Sequence, residues 1–571
     1  MMKMKRWILL CGLLLTGFAA QAQVEKQVEV TKAYVPSLEA ATKLPIEPDM
    51  TDTTTLRPEI DYTITPLSLQ TSLQTKPIRP ATVTYWEFNR PSPFYLKAGV
   101  GYPLQSVAEL SVSTQNSGTG YALGYLHHEG RYGTIRNDYG LRNYATRMTN
   151  RVGGAAGLYL GKRILEGELS YRHRADCRHA MYYPKGALLP GDRIGYSDAN
   201  LCLSIGDDFL NLDRLNVGLA LDGALFADHS DPLQGVAPGG QLDLGATFRM
   251  ARAWRGINFS LWADYHHLGG TQGLATTSEQ LIGGGLRLGM KQGRVQMDLG
   301  ADFYHDRVRG HHLATGAEAG NYILPQARLV WSLTRKALHP FAELNSRLET
   351  NDHRSLTEHN PYLLTAQWGT LPTIEYDLKA GLKGSFARDR FAYRLYATAA
   401  ADLNHRYWVI PELYSLMPDR YFPGWTTLVQ DELMAFGLGG ELTYRPTSAL
   451  NFELGAIYRL FEEDTPLPTG EAVWKGSFAM RYDHRKFRLG LRTELQSERS
   501  WAFVDSLDWR NVSAQFRAPF AVDLQLDFEW IYSSSMIFFV EGRNLLNQPI
   551  YRYPAYREYG INALAGVRMT F

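Results

Sequence analysis

Apolar and polar residues alternate with a period of two along many segments of this chain. The clearest segment is 487–496, in which two sets alternate, Phe487, Leu489, Leu491 and Leu495 against Arg488, Gly490, Arg492 and Glu494. Residues 295–304, 374–386 and 450–459 repeat the pattern. Because successive side chains of a β-strand point to opposite faces, this alternation predicts strands with one apolar and one polar face.

The length of these segments separates two classes of β-protein. A soluble β-sandwich or propeller also alternates, but its apolar face is turned inward and its strands are usually about five or six residues long. The alternating segments here reach about 10 to 13 residues, which is enough for a tilted strand to cross a bilayer. The sequence therefore predicts an all-β fold, a transmembrane antiparallel β-barrel with its apolar face toward lipid.

Short and long connections alternate between the predicted strands. The short ones are 162–163, 291–294, 388–390 and 484–486. The long ones are 131–147, 180–195, 310–321, 351–373 and 404–431. Such alternation is typical of periplasmic turns and extracellular loops. Counting from Phe94 gives about 22 strands, with each long loop after an odd-numbered strand, so both ends of the barrel face the periplasm.

Composition supports the barrel and excludes several other functions. The chain contains 33 Tyr, 24 Phe, 12 Trp and 52 Gly, and its net charge of +1 excludes a strongly basic nucleic-acid-binding protein. Cys177 and Cys202 fall on opposite strand faces, which argues against a disulfide between them. No nucleotide-binding glycine loop, metal-ligand spacing or hydrolase arrangement is evident in the sequence. We expect no enzyme, no cofactor and no metal site.

The first 22 residues predict export. Lys3, Lys5 and Arg6 precede an apolar run over 7–19, and Ala20-Gln21-Ala22 fits the small-x-small pattern of a signal-peptidase site. We therefore expect a signal peptide over 1–22 and a mature chain that begins near Gln23.

Residues 23–93 differ from both neighbouring segments. Nine of the 27 prolines lie in 24–93, and the segment shows little hydrophobic periodicity. Such a segment cannot build much of a core of its own. We expect an extended periplasmic arm that folds against the barrel, threads its lumen or binds a periplasmic or outer-membrane protein. A linker without a docking role is the alternative.

The C-terminal residues resemble a known family. The strand 538–543 runs into Asn544-Leu545-Leu546-Asn547, an aromatic loop with Tyr551, Tyr553 and Tyr556 follows, and a closing strand ends at Phe571. This arrangement resembles the end of TonB-dependent outer-membrane receptors, and the arm is similar in style to members from Bacteroidota. The resemblance covers 94–571 and implies a barrel of about 22 strands in the outer membrane of a Gram-negative bacterium.

The N-terminal part departs from that family. Its receptors carry a plug domain inside the barrel, whereas the Pro-rich residues 24–93 are too few and too irregular to form one. Residues 28–31 (Val-Glu-Val-Thr) are only faintly similar to the segment by which such receptors contact TonB. We therefore expect no energised coupling to TonB, and the partners that remain are outer-membrane lipid and a protein bound through 24–93.

Two sets of residues are candidates for function. The predicted lumen-lining set is Arg172, Arg174, Lys379, Lys383, Arg394, Arg481, Arg488, Arg492 and Glu494. The second set is an aromatic loop for a ligand or partner, containing Tyr407, Trp408, Tyr421, Phe422 and Trp425. For both sets a purely structural role is the alternative, a self-satisfied polar network or packing onto neighbouring loops.

These observations favour a receptor-like barrel without a plug that takes part in the passage or binding of a solute or macromolecule across the outer membrane. The alternative is a non-conducting structural or assembly subunit that docks partners through its N-terminal arm. Because an open barrel of this size would breach the membrane, we expect the arm, the loops or a partner to obstruct the lumen.

Overall fold

The structure is a computed structural model that describes residues 93–114, 118–138, 140–181, 192–231, 239–272, 275–309, 320–364, 371–412, 424–462, 465–505 and 510–571. All of these belong to one compact unit, Pro77–Phe571, and the other unit, Met1–Lys76, lies outside them. The predicted signal peptide over 1–22 and the Pro-rich arm up to residue 92 therefore fall outside the described residues. No helix among the described residues has the length and apolar character needed to cross a membrane.

The described residues form 26 strands and one helix in chain order. The first half contains β1 Phe94–Tyr102, β2 Gln105–Ser113, β3 Gly120–Arg136, β4 Arg142–Leu160, β5 Arg163–Cys177, β6 Arg193–Asp207, β7 Asn216–Asp228, β8 Gly240–Trp254, β9 Ile257–Gln272, β10 Ala275–Gln292, β11 Val295–Arg309, β12 Gly320–Trp331 and β13 His339–Glu349. The second half contains α1 His353–His359, β14 Thr373–Phe386, β15 Phe391–Glu412, β16 Thr427–Thr447, β17 Leu450–Glu462, β18 Trp474–Asp483, β19 Phe487–Gln496, β20 Arg499–Asp505, β21 Val512–Ala518, β22 Ala521–Ser533, β23 Met536–Arg543, β24 Tyr551–Tyr553, β25 Tyr556–Arg557 and β26 Asn562–Thr570.

The sheet closes on itself. Strands β1 to β19 pair each with the next, β19 pairs with β22, β22 with β23, and β23 with β26. Strand β26 returns to β1, and the amide of Phe94 donates to the carbonyl of Phe571 at 3.2 Å. Because β20, β21, β24 and β25 lie outside this circuit, the barrel has 22 antiparallel strands, which confirms the fold and the strand count predicted from the alternation.

The two faces of each strand meet different surroundings. Large apolar side chains on the outer face are exposed, for example Leu169 at 62%, Ile323 at 64% and Leu438 at 67%. The intervening residues, such as Arg172 and Asp198, point inward and pair with one another. An exposed apolar belt around a closed barrel with every strand paired is the arrangement that lipid requires, so the barrel spans a membrane.

Aromatic residues mark one edge of the belt, at the end of the barrel where most connections are short. Trp254, Trp331 and Trp530 are each about half exposed there, at 57%, 50% and 48%. Both barrel termini, Phe94 and Phe571, lie at the same end. An aromatic girdle next to short turns and chain termini is typical of the periplasmic edge of an outer-membrane barrel.

The connections agree with the prediction at the short turns but not at two long loops. The turns between β4 and β5, β10 and β11, and β18 and β19 lie where they were predicted. The predicted loop 131–147 is wrong, because β3 extends to Arg136 and β4 already begins at Arg142. The predicted loop 404–431 is also wrong at both ends, because β15 extends to Glu412 and β16 begins at Thr427. Above the lipid belt the inner face of a strand packs against protein and no lipid requires an apolar outer face, so the apolar alternation ends before the strand does.

The long connection between β13 and β14 contains the helix α1, which the alternation did not predict. Asp352 caps its N-terminus, and the amide of Ser355 donates to Oδ1 of Asp352 at 3.0 Å. This helix leads to the candidate site, which occupies the end of the barrel opposite the short turns.

Candidate functional site

Loops at the long-loop end fold into the mouth of the barrel. We call this assembly the cap and define it by residues 350–364, 371–372, 424–426, 465–473, 497–505, 510–520 and 544–561. It includes α1, the hairpin β20–β21 and the small hairpin β24–β25. Strand β20 is joined to the top of β15 by a parallel pairing that begins at Ile410 and Phe503.

Helix α1 lies inside the mouth of the barrel. It follows β13, yet its side chains bond to inward-facing residues of β5 to β8 on another side of the barrel. Arg354 donates from Nε to Asp198 Oδ1 at 2.9 Å and from its terminal nitrogen to Asn200 Oδ1 at 2.6 Å. Glu358 pairs with Arg172, and His353 Nε2 lies 3.0 Å from Asp228 Oδ2. The helix is therefore held by its chain connection to β13 and by ion pairs to the wall at β5 to β8.

A second junction joins the segment that follows α1 to the loop between β23 and β26. The side chain of Tyr362 is fully buried, and its ring stacks on that of Tyr556 with centroids 3.3 Å apart and planes at 8°. Arg147 donates to Asp176 at 3.1 Å, to Glu558 at 3.1 Å and to the hydroxyl of Tyr362 at 3.2 Å. One guanidinium group thus holds two strands and two cap segments together.

The electrostatics of this junction follow from burial and charge. Burial alone would raise the pKa of the Glu558 carboxyl, but Arg147 and Arg552 outweigh it and lower that pKa to about 2. The same balance of burial against Lys475 brings the pKa of Glu471, elsewhere in the cap, to about 2. Both carboxylates are ionised at neutral pH and contribute to holding the cap.

Apolar side chains at the tops of the strands form a core with the cap. Ile194 and Tyr196 of β6 and Phe226 of β7 point inward and are at most 3% exposed. They belong to one cluster with Tyr362, Ile410, Ala555 and Tyr556. A second cluster joins Tyr407 and Val409 of β15 to Leu467 and to Ala502 and Val504 of β20. Burial of these side chains stabilises the cap against the wall of the barrel.

A polar cavity lies between α1 and the wall. Its volume is about 290 Å³, and its lining residues are Arg151, Glu168, Ser170, Arg172, Asn200, Cys202, Arg354 and Glu358. Three guanidinium and two carboxylate groups offer donors and acceptors in similar number. A polar solute fits this lining better than an apolar one.

The predicted lumen residues all lie on the face opposite the lipid-facing side chains, in two groups. Both Arg172 and Arg174 contact α1: Arg172 pairs with Glu358, and Arg174 donates to the carbonyl of Thr357 at 3.2 Å. The other seven lie on the wall formed by β14 to β19. Among these, Arg394 donates to Glu343 at 2.8 Å and lies over the ring of Phe341, as does Lys383.

The remaining wall residues form pairs along the barrel. Lys379 pairs with Asp377, Arg481 with Asp483 at 2.9 Å, and Arg488 with Glu529 at 3.3 Å. Arg492 and Glu494 occupy the inward face of β19 beside these pairs. Positive and negative groups thus alternate around this wall, and the cap brings only Arg172 and Arg174 into the site.

Of the predicted aromatic loop, Trp425 lies in the cap, and Tyr407 and Trp408 lie in the wall and pack against the cap. Tyr407 and Trp408 lie in β15, where Tyr407 is fully buried and its hydroxyl donates to the carbonyl of Glu432 at 3.2 Å. Trp408 packs against the cluster of Leu356, Leu363 and Leu428. Trp425 is 5% exposed, and Arg178 lies 5.9 Å from its ring. Tyr421 and Phe422 lie outside the described residues.

Two groups of described residues bring possible metal ligands within 4.8 Å of one another. In the first, Asp176, Cys177 and His179, the thiol donates to the carbonyl of Tyr144 and the imidazole nitrogens face backbone carbonyls. In the second, His266 Nδ1 lies 3.6 Å from Asp243, which also faces Arg354 at 3.7 Å. Protein contacts engage both groups, and we assign a metal to neither. Cys177 and Cys202 are free thiols.

Sequence reasoning missed the residues that build the cap. Arg147, Tyr362 and Glu558 come from three distant parts of the chain, and Arg147 and Glu558 are 411 positions apart. Their only signals in the sequence are the length of the predicted loop 351–373 and Asp352 as a helix-capping residue three positions before Ser355. Neither signal indicates where the segment docks.

Comparisons with known proteins find solved structures that share the fold of this barrel. No protein-family model and no curated protein matches the chain. The pyoverdine receptor FpvA from Pseudomonas aeruginosa is similar with a TM-score of 0.60 and 12% identity, over 85% of this chain and 79% of that one. The siderophore receptor PirA from Acinetobacter baumannii is similar with a TM-score of 0.63 and 8% identity, over 84% of this chain and 80% of that one. The FrpB iron transporter from Neisseria meningitidis is similar with a TM-score of 0.63 and 12% identity, over 85% of this chain and 82% of that one.

At these identities the likeness concerns the fold. It agrees with the closed circuit of 22 strands, the outer apolar belt and the C-terminal resemblance noted in the sequence. The chain is an outer-membrane β-barrel of a Gram-negative bacterium, and it has the barrel fold of the TonB-dependent receptors.

Proposed function

We propose that this barrel takes part in the passage or binding of a solute or macromolecule across the outer membrane, and that the cap closes it in place of a separate plug domain. A lumen of 22 strands is wide enough to need such a closure. The observation that carries the proposal is the path of α1, which leaves β13 and is held by ion pairs to β5 and β6.

The cavity beside α1 supports a role in solute binding. Three of its lining side chains, Arg172, Arg354 and Glu358, also hold the helix to the wall. A polar solute that competes for these groups weakens the attachment of α1, because each ion pair it replaces is one that holds the cap. Binding and opening would then be linked, since a ligand shifts an equilibrium by its preference for one state.

The similar structures support the general role. Their descriptions name a pyoverdine receptor, a siderophore receptor and an iron transporter. The solute of the present chain is not assigned from them, because those names belong to proteins that share about one residue in ten with it.

A reversible tether of the cap tests the proposal. Leu363 and Thr426 form a parallel β-bridge between the segment that follows α1 and the residue that directly precedes β16 at the long-loop end. Backbones paired in this way lie about 4.8 Å apart, within the range that a disulfide can join. A Leu363→Cys/Thr426→Cys variant in a Cys202→Ser background therefore ties the cap shut when oxidised and frees it when reduced. The Cys202→Ser protein alone is the matched control.

Flux of polar solutes of graded size into proteoliposomes provides the readout. We expect slow flux, carried by brief openings of the cap, through the reduced variant and the control, and its loss in the oxidised variant. Equal flux in both redox states would show that the cap does not gate the barrel. No flux in any form, including solutes small enough for the cavity, would favour the alternative function of a non-conducting structural or assembly subunit.

A further inference from the structure

The short-turn end of the barrel is strongly basic. Its turns and adjoining strand ends, within 161–163, 208–215, 252–256, 291–294, 332–338, 387–390, 445–449 and 484–486, carry 14 lysines and arginines and three aspartates. We call these cations the basic rim: Lys162, Arg163, Arg214, Arg252, Arg255, Lys291, Arg294, Arg335, Lys336, Arg388, Arg390, Arg445, Arg485 and Lys486. With their three aspartates, these segments carry a net charge of +11. The whole chain has a net charge of +1, so the remaining residues carry −10.

Most of the basic rim has no acidic partner in the part of the barrel that the structure describes. Among the residues that the structure describes, ion pairs join Arg163 to Asp207 at 3.9 Å, Arg214 to Asp208 at 3.1 Å, and Lys336 to Asp389. All rim cations except Arg214 are exposed. A ring of like charges repels itself, so it is stabilised by an anionic surface close by.

The place of the rim arginines next to the aromatic girdle identifies the anion that lies close to them. Arg163 shares the outer face of β5 with Leu165 and Leu169, and Arg252 shares the outer face of β8 with Phe248 and Trp254. The guanidinium carbon of Arg255 lies 4.9 Å from the ring of Trp254, which is 57% exposed in the aromatic girdle. Exposed tryptophans of a girdle lie at the depth of lipid headgroups. These arginines therefore point at headgroups and not into the lumen.

We propose that the basic rim binds the phosphate groups of anionic phospholipids in the adjacent, periplasm-facing leaflet. Guanidinium groups match phosphate oxygens with two parallel hydrogen bonds, and the planar group also stacks on an aromatic ring, as Arg255 does on Trp254. Each lysine or arginine near an anionic lipid surface strengthens binding about fivefold. The lipid contact is separate from the cap and independent of what passes through the lumen.

The test uses the full chain reconstituted in a mixture of phosphatidylcholine and phosphatidylglycerol. After transfer to neutral detergent, native mass spectrometry counts the lipids of each kind that remain bound. We expect phosphatidylglycerol to be enriched several-fold over the bulk mixture at low salt and the enrichment to fall at high salt. In the variant Arg163→Gln/Arg252→Gln/Arg255→Gln the enrichment should fall toward the bulk ratio.

The control is Arg136→Gln/Arg142→Gln, which removes two exposed arginines at the opposite end of the barrel. It should retain the full enrichment. Circular dichroism confirms that each variant is folded, and exposed turn positions of this kind tolerate substitution. A bulk lipid ratio in the unchanged protein, or equal enrichment in both variants, would overturn the proposal. Rim-dependent binding of polyglutamate together with a bulk lipid ratio would also overturn it, in favour of an acidic protein partner.

Discussion

Glu558 is the residue whose replacement reports most directly on how the cap is held. Its carboxylate, 16% exposed, receives two hydrogen bonds from Arg147, and its pKa lies at about 2 instead of 4.5. A shift of that size corresponds to about 3 kcal/mol, and we take 2 to 3 kcal/mol because the site is partly hydrated. The substitution Glu558→Gln keeps the shape and removes the charge, so cap opening at pH 7 should become about 30- to 150-fold more frequent.

The pH dependence of this effect has a defined sign. Because the pKa of Glu558 is lower in the folded cap than in the open loop, its contribution is present above about pH 4.5 and is lost as pH falls toward 2. The cap of the unchanged protein should therefore loosen between those values. Glu558→Gln should lose a large part of this dependence, while two other cap carboxylates account for what remains: Glu471, whose pKa is also about 2, and Glu358, whose pKa Arg172 lowers against the effect of burial.

Amide hydrogen exchange of residues 544–561, measured in lipid nanodiscs, provides the assay. Glu498→Gln is the matched control, since Glu498 is an exposed acid in the same cap. We expect faster exchange across the loop in Glu558→Gln and unchanged exchange in the control. Exchange within about twofold of the unchanged protein at pH 7 would refute the view that the Arg147–Glu558 contact holds the cap.

Three further substitutions test other parts of the structure. Tyr362→Leu removes the stack on Tyr556 and the bond from Arg147, so it should destabilise the docked cap by about 2–4 kcal/mol and deprotect α1 in hydrogen exchange. Leu169→Arg places a charge in the lipid belt and should lower barrel stability in denaturant titrations by about 2–4 kcal/mol. Leu210→Arg, in the turn between β6 and β7, is its control and should lower that stability by less than about 1 kcal/mol. Gly424→Ala should slow or weaken cap docking, measured by protease resistance, because Gly424 has φ of 85° and its added Cβ would lie 2.3 Å from Cγ of Met181.

The barrel wall was predictable because a single physical requirement acts on every strand. Lipid demands an apolar side chain at each outward position, so Leu169 and Tyr171 in β5 alternate with Ser170 and Arg172 whatever the function. The same parity identified Arg172 and Arg174 as inward-facing. It failed at the tops of β3, β4, β15 and β16, where Ile135, Ala145 and Tyr407 are buried against protein and no lipid enforces the pattern.

The cap was not predictable because its contacts join residues with no local relation. A helix of seven residues such as α1 is too short to show a helical period, and most of its stabilisation comes from Arg354, His353 and Glu358 meeting other strands. Tyr407 and Trp425 were singled out as aromatic, but their sequence positions do not distinguish an exposed binding loop from the buried packing that the structure has.

Planar-bilayer conductance of the reconstituted full chain tests the central claim that the cap closes the barrel. The comparison is with a variant in which residues 353–362 are replaced by a Gly/Ser segment of equal length, which removes Arg354, Glu358 and Tyr362 together. The account predicts a closed unchanged protein and large stepwise conductance in the variant. Large conductance in the unchanged protein, or none in the variant, would contradict it.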